Sequence, residues 1–151
     1  MLWDKVCIES TAYDLPEKRV TSAEIEDMFR GTLDRFGLEP GKLEKISGVH
    51  ARRWYEPGER PSAIATRAGF RALERAGIGA DQLDLLINAS VTRDYTEPAT
   101  AAMVGGNLGV AHRCLTYDIT HACMGFITAM TSAANAIELG QARYVLGVTG
   151  E

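Results

Sequence analysis

Short apolar runs alternate with helix-type segments through residues 62–151, and this alternation is the strongest constraint on the fold. Runs such as "LDLLINASV" have the composition of strands that are buried on both faces of a parallel sheet. The intervening segments are rich in alanine, glycine and serine, so we expect these helices to be buried between layers. Strands that alternate with helices predict an α/β fold with a largely parallel sheet. The predicted order is helix 62–77, strand 83–91, helix 97–109, strand 114–119, helix 123–140 and strand 142–151.

The first 60 residues carry a weaker pattern. Residues 5–16, "KVCIESTAYDLP", alternate imperfectly and stop at a proline, which predicts a strand. Apolar residues at helical spacing predict a helix over 22–36 that ends at Gly37. Residues 38–60 contain several glycine and proline breakers and are predicted to be irregular.

Composition narrows the classes of function. The 151 residues carry a net charge of -4, which gives no basic footprint for nucleic acid. No apolar run reaches the roughly 18 residues that a membrane span needs. The N-terminal residues "MLWDKVCIES" lack the pattern of a signal peptide, so the expected location is the cytoplasm.

The three cysteines show neither a disulfide framework nor a metal pattern. Cys7 and Cys114 lie inside predicted strands and are expected to be packed thiols. His112 lies two residues before Cys114, but one such pair is weak evidence for zinc, and we predict no metal site.

Cys123 differs because it lies where a predicted strand gives way to a predicted helix. Free N–H groups and the dipole at a helix start favour a thiolate, which is the layout of a nucleophile elbow. Gly125 would let a backbone or a substrate approach closely. A buried, unreactive cysteine is the other interpretation, and the layout by itself leaves both open. His121 is predicted to be structural or to line a pocket.

Several segments resemble one family. The stretch "DITHACMGF" (118–126) is similar to the D-x-x-x-A-C-x-G-F segment of β-ketoacyl-acyl carrier protein synthase III and of thiolase-like condensing enzymes. The stretches "SGVHARRW" (47–54) and 65–110 resemble further segments of the same enzymes. The resemblance implies a thiolase-like fold, layered α/β/α/β/α when complete. Residues 1–151 would be its N-terminal half, and the absent C-terminal half would supply a catalytic histidine and asparagine.

The resemblance assigns roles to two residues. Cys123 would carry an acyl chain as a thioester. The pattern S-V-x-R-D-Y-x-E-P over 90–98 resembles the subgroup that condenses two long-chain acyl-CoAs, without decarboxylation, in bacterial head-to-head olefin synthesis. In that subgroup the residue matching Glu97 comes from the neighbouring subunit and removes an α-proton. Without the resemblance, Glu97 would be an exposed loop residue or a charge at a helix start.

The resemblance also suggests substrate contacts for Arg52, Arg53, Gly125 and Phe126. The two arginines would contact CoA phosphates, although structural or solvated ion pairs are the alternative. Arg93 and Asp94 could pair on the same loop, and they are predicted to be residues that order it. No cofactor is expected, since the substrate is itself a thioester.

The expected partners are a fatty acyl-CoA or acyl-acyl carrier protein, and either a second copy across the Glu97 loop or a chain that supplies the C-terminal half. Lys42 and Ile46 stand where synthases III often have residues that clamp the CoA adenine. Whether the acyl donor is a CoA thioester or an acyl carrier protein thioester therefore stays open. A decarboxylating synthase III and a non-catalytic subunit are the alternative functions.

Overall fold

A computed structural model describes residues 3–151 of the chain. They form two compact units, one made of residues 3–14 with 59–151 and the other of residues 15–58. Across 3–151, no helix is long and apolar enough to cross a membrane. The elements in chain order are β1 (Arg19–Thr21), α1 (Ser22–Met28), α2 (Arg30–Arg35), α3 (Lys42–Ser47), β2 (Ala51–Arg53), α4 (Pro61–Ala76), β3 (Leu85–Asn88), α5 (Thr100–Leu108), β4 (Leu115–Asp118), α6 (Gly125–Glu138) and β5 (Val145–Val148), with short 3-10 turns at Ala80–Gln82 and Ala122–Met124.

The larger unit is built on a parallel sheet in the order β4-β3-β5. All four residues of the central strand β3 are buried. Because side chains alternate along a strand, Leu86 joins a core with Ala65 and Val104 of α4 and α5. Leu85 and Ile87 point to the opposite face and join Ala129 of α6. The sheet is therefore covered on both faces, which confirms the α/β prediction.

The predicted burial of the two small-residue helices holds better for α5 than for α6. In α5, Thr100, Ala101, Val104 and Gly105 are buried. In α6 only Gly125, Ala129 and Ala134 are buried, because one side of the helix alone meets the sheet. The exposed apolar residues at the start of α6 are Met124, Phe126, Ile127 and Met130.

The predicted strand over 5–16 is wrong. No strand occurs between residues 3 and 18, and residues 10–14 instead lie along α4. Ser10 Oγ donates to the carbonyl of Ala72 at 2.7 Å, and the Arg71 and Arg75 guanidinium groups donate to the carbonyls of Tyr13 and Thr11. Side chains of a helix thus bind this backbone, where a sheet would have used a neighbouring strand.

The smaller unit, 15–58, holds further corrections. The predicted helix over 22–36 divides into α1 and α2 at Phe29, whose φ of -113° departs from helical geometry. The predicted irregular region contains α3 and β2, and β2 pairs antiparallel with β1. Buried Glu26 accepts hydrogen bonds from the N–H groups of Leu43 and Gly41, which lowers the pKa of its carboxyl. The start of α3 is thus held by a residue distant in sequence, which local patterns do not register.

Gly150 follows β5 and packs closely against the first turn of α4. A Cβ at Gly150 would overlap the carbonyl oxygen of Pro61, and the Gly150 N–H donates to Ser90 Oγ at 3.0 Å. We expect Gly150→Ala to lower the free energy of unfolding by about 1–3 kcal/mol, since backbone must shift to make room. Thermal melting checks this, with Gly106→Ala as control because a Cβ there meets no atom within 4 Å. Equal melting temperatures for the two variants would contradict the close contact.

Candidate active site

Cys123 lies on a sharp turn between β4 and α6, as the sequence predicts. The preceding residue, Ala122, has a φ of 42°, a left-handed conformation that is uncommon for residues other than glycine. The N–H of Met124 bonds to the carbonyl of His121 at 3.0 Å, and the N–H of Gly125 bonds to that of Ala122. The N–H of Cys123 takes no part in these turn bonds, and its side chain is exposed. A thiol and a backbone donor are thus presented together at the start of a helix.

His121 braces this turn. Its Nδ1 lies 2.9 Å from Thr128 Oγ1, and Thr128 Oγ1 donates to the carbonyl of Met124 at 2.9 Å. A threonine hydroxyl has one proton, so the Nδ1 of His121 must be the donor in their bond. The structural role predicted for His121 is therefore seen as a tie between the turn and the first turn of α6.

The other two cysteines are poor candidates for a nucleophile. Cys7 is exposed, so the prediction of a packed thiol there is wrong. Its Sγ donates to a carboxylate oxygen of Glu9 at 3.2 Å, and this bond raises the pKa of the thiol. Cys114 packs against the core as predicted, and burial raises the pKa of its thiol. Both surroundings disfavour the thiolate that a nucleophile needs.

Asp118 joins the Cys123 turn to the segment that carries Glu97. Asp118 is the last residue of β4. Its carboxylate accepts hydrogen bonds from the N–H groups of Thr100 and Ala101 at 2.8 and 2.7 Å. Residue Ala99 offers no side-chain cap to α5, so Asp118 caps that helix from the neighbouring strand. Sequence reasoning missed this role, although the aspartate belongs to the D-x-x-x-A-C pattern.

Glu97 is exposed and lies in the loop between β3 and α5. The helix predicted over 97–109 begins only at Thr100, so Glu97 precedes it. Its peptide bond to Pro98 is cis. Within the part of the chain that the structure describes, its carboxylate has no hydrogen-bond or ion-pair partner. The side chain is therefore available to a group outside these residues, and its role as a base stays a prediction.

Arg93 and Asp94 do not pair with each other, because each binds a different element. Arg93 donates to Thr120 Oγ1, just beyond β4. Asp94 accepts from both the N–H and the hydroxyl of Ser62 at the start of α4. The two residues still order the loop, but by anchoring it to its surroundings.

Gly125 and Phe126 adjoin Cys123. A Cβ at Gly125 would meet Ala89 at 3.8 Å, an ordinary contact, so close packing within 3–151 does not require glycine there. The ring of Phe126 lies over Gly147 of β5 and is 42% exposed, so part of it is free to contact a ligand. Neither side chain is shown to bind a substrate, and both assignments stay predictions.

Arg52 and Arg53 lie on β2 in the smaller unit. Arg52 Nη1 donates to Ser22 Oγ at 3.0 Å, and Arg53 Nη1 donates to the carbonyls of Glu17 and Pro16 at 2.8 and 3.3 Å. Both guanidinium groups thus have structural partners, while the predicted contacts with CoA phosphates remain predictions. Over 3–151, no group of three or more acidic, histidine or cysteine side chains is arranged to hold a metal.

Comparison with known proteins shows which families this chain is similar to. The family model for the thiolase N-terminal domain matches residues 58–151. The whole chain is 42% identical to the acyl-CoA:acyl-CoA alkyltransferase of Xanthomonas campestris, of which it covers 45%. It is 38% identical over 134 residues to the β-ketoacyl-acyl carrier protein synthase III of Roseiflexus castenholzii, covering 38% of that protein. The chain therefore spans less than half the length of these relatives.

Solved structures agree with the sequence comparison. The structure of Xanthomonas campestris OleA soaked with cerulenin matches the whole chain with a TM-score of 0.93 at 42% identity, over 44% of its own length. Other structures of that OleA carry variants at one glutamate, one cysteine and one histidine. Its altered glutamate and cysteine are separated by the same number of positions as Glu97 and Cys123. By its matched domain and its fold, the chain belongs to the thiolase family.

Proposed function

We propose that this chain carries the nucleophile of an acyltransferase that joins two fatty acyl-CoA molecules by a non-decarboxylative Claisen condensation. The observation that carries the proposal is Glu97, an exposed carboxylate without a partner within 3–151, on a chain that also presents the exposed thiol of Cys123. The similarity to an acyl-CoA:acyl-CoA alkyltransferase over all 151 residues supports the same reaction. The residue roles below are part of this proposal.

The first half-reaction loads Cys123. Its thiolate attacks the carbonyl carbon of one acyl-CoA, and the CoA thiolate leaves with the bonding electrons and takes up a proton. The N–H of Cys123, which the turn leaves free, stabilises the negative charge that develops on the carbonyl oxygen. The product is an acyl thioester on Cys123.

The second half-reaction requires a base. A carboxylate at Glu97 removes a proton from the α-carbon of the second acyl-CoA, and the resulting carbanion attacks the acyl-cysteine carbonyl. The Cys123 thiolate then leaves, and a β-ketoacyl-CoA is formed. A decarboxylating synthase obtains its carbanion by losing carbon dioxide, so only the proposed reaction needs a base at this step.

A second copy of the chain is proposed to present Glu97 to this site. Within residues 3–151, strand β4 is an edge of the sheet, so its outer N–H and C=O groups are available to another chain. The Glu97 loop is attached at the end of that strand, through Arg93 to Thr120 and through the start of α5 to Asp118. The position supports a loop that reaches across an interface formed along β4.

The exposed apolar residues at the start of α6, beside Cys123, support a further layer of the fold on that side. We propose that a C-terminal half supplies this layer together with a histidine and an asparagine. Arg52 and Arg53 are proposed to contact the CoA phosphates through N–H groups that their structural bonds leave unused.

The test uses the enzyme with its complete fold, in which the proposed C-terminal half is present. It is incubated with one long-chain acyl-CoA and no malonyl thioester, and the product is analysed by mass spectrometry. We expect a β-ketoacyl-CoA with twice the acyl carbon count. If water hydrolyses this thioester to the β-keto acid and the acid then loses carbon dioxide, the ketone that is detected has one carbon fewer. Product formation only when a malonyl thioester is added would favour the decarboxylating function of the synthase III relatives. No acylation of Cys123 would favour a non-catalytic subunit.

A further inference from the structure

The loop that carries Glu97 is fastened to the start of α4 by Asp94 and Ser62, and we propose that this clamp positions Glu97 for the neighbouring subunit's site. The inference rests on the proposed action of Glu97 across the interface. It adds Asp94 and Ser62 as positioning residues, which act on the reaction only through Glu97.

The clamp has two bonds. Asp94 Oδ1 accepts from the N–H of Ser62 at 2.9 Å, and Asp94 Oδ2 accepts from Ser62 Oγ at 2.5 Å. Ser62 is 3% exposed, so water cannot readily replace Asp94 as its partner. Residue Arg60 at the N-cap of α4 gives no side-chain cap, and Asp94 meets the positive end of the helix instead. Two bonds from one carboxylate fix both the place and the orientation of the loop there.

The neighbouring residues strengthen this end of the loop. Arg60 Nη1 donates to the hydroxyl of Tyr95 at 2.9 Å, and the Arg60 guanidinium lies 5.5 Å from the centre of the Tyr95 ring. On the other side of Glu97, Asp118 holds the N–H groups of Thr100 and Ala101. Glu97 thus lies on a short bridge, residues 96–99, between two anchored ends.

Glu97 depends on these ends because it has no anchor of its own. Its side chain has no hydrogen-bond or ion-pair partner within 3–151, and it is exposed. A base must lie within hydrogen-bond reach of the proton that it removes, and a misplacement of about 1 Å can cost 10²-fold in rate. Removing the Asp94 carboxylate would take away both bonds of the clamp and leave this end of the bridge held by Tyr95 and Arg93 alone, so the Glu97 carboxylate would be placed less precisely.

Mixed dimers separate positioning from stability. One subunit carries Cys123→Ser and the other Glu97→Ala, and the two are co-purified through different affinity tags. The single working site then combines Cys123 of the second subunit with Glu97 of the first. Asp94→Ala is placed in either subunit, and condensation of one long-chain acyl-CoA is measured. Thr21→Ala, which removes the cap of α1 in the smaller unit, is the matched control in both placements.

We expect Asp94→Ala to lower condensation about 10- to 100-fold more in the subunit that supplies Glu97 than in the subunit that supplies Cys123. Thr21→Ala should show no such asymmetry. Equal losses for both placements of Asp94→Ala would overturn the clamp's positioning role and leave it a helix cap. An inactive parental mixture, with mixed dimers present, would overturn the action of Glu97 across the interface and the positioning role with it.

Discussion

Cys123→Ser is expected to abolish the acyl-enzyme and to lower condensation on the order of 10⁴–10⁶-fold, the usual effect of losing a nucleophile. The exposed thiol at the start of α6 is the group proposed to form the thioester. A serine hydroxyl at the same place stays protonated at neutral pH and does not form that bond at a useful rate. Intact mass after incubation with an acyl-CoA measures the acylation directly.

Two variants control for a general effect of removing a thiol. Cys7→Ser and Cys114→Ser should leave acylation unchanged, because the pKa of each of these thiols is raised by its surroundings, by Glu9 for Cys7 and by burial for Cys114. A Cys123→Ser enzyme that gains the same mass as the unaltered enzyme would disprove the assignment.

Glu97→Ala is expected to leave the first half-reaction intact and to stop the second. Cys123 should still be acylated, since thioester exchange needs no proton from the α-carbon. Condensation should fall about 10²–10⁴-fold, which is the usual effect of removing a positioned base. Single-turnover acylation and steady-state formation of the β-keto product, measured on the same preparation, separate the two steps.

The position of Glu97 permits a second measurement. If base and nucleophile belong to different subunits, mixing inactive Cys123→Ser with inactive Glu97→Ala should restore part of the activity, since one site in each mixed dimer keeps both groups. Glu74→Ala, which removes an exposed carboxylate from α4, is a control expected to retain full activity. Normal condensation by Glu97→Ala would leave Glu97 as a charge near a helix start and favour the decarboxylating reaction.

Local sequence patterns predicted the elements near the sheet well. The runs at 83–91, 114–119 and 142–151 contain β3, β4 and β5, and the predicted order of strands and helices is the observed one. The run at 83–91 is apolar because β3 is buried along its whole length, so its composition reports its place at the centre of the sheet. The junction before Cys123 was predictable because the strand-type run over 114–119 is followed closely by the helix-type segment over 123–140.

Other features depend on groups that are distant in sequence. Residues 5–16 look like a strand, but Arg71 and Arg75 bind their carbonyls, and which partner a backbone finds cannot be read from its own residues. In the same way, α3 is held at its start by Glu26. Arg93 and Asp94 are adjacent in sequence and opposite in charge, yet better-placed partners on other elements take both.

The sequence by itself determined the α/β class, the place of Cys123 at a strand-to-helix junction and, through its motifs, the thiolase family. These are consequences of periodicity and of short motifs, which are local properties of a chain. Only the tertiary structure decided that Asp118 caps α5, that Asp94 clamps the Glu97 loop to α4, and that Glu97 is left without a partner within 3–151. Such bonds join groups from separate elements, and they exist only once packing has brought those elements together.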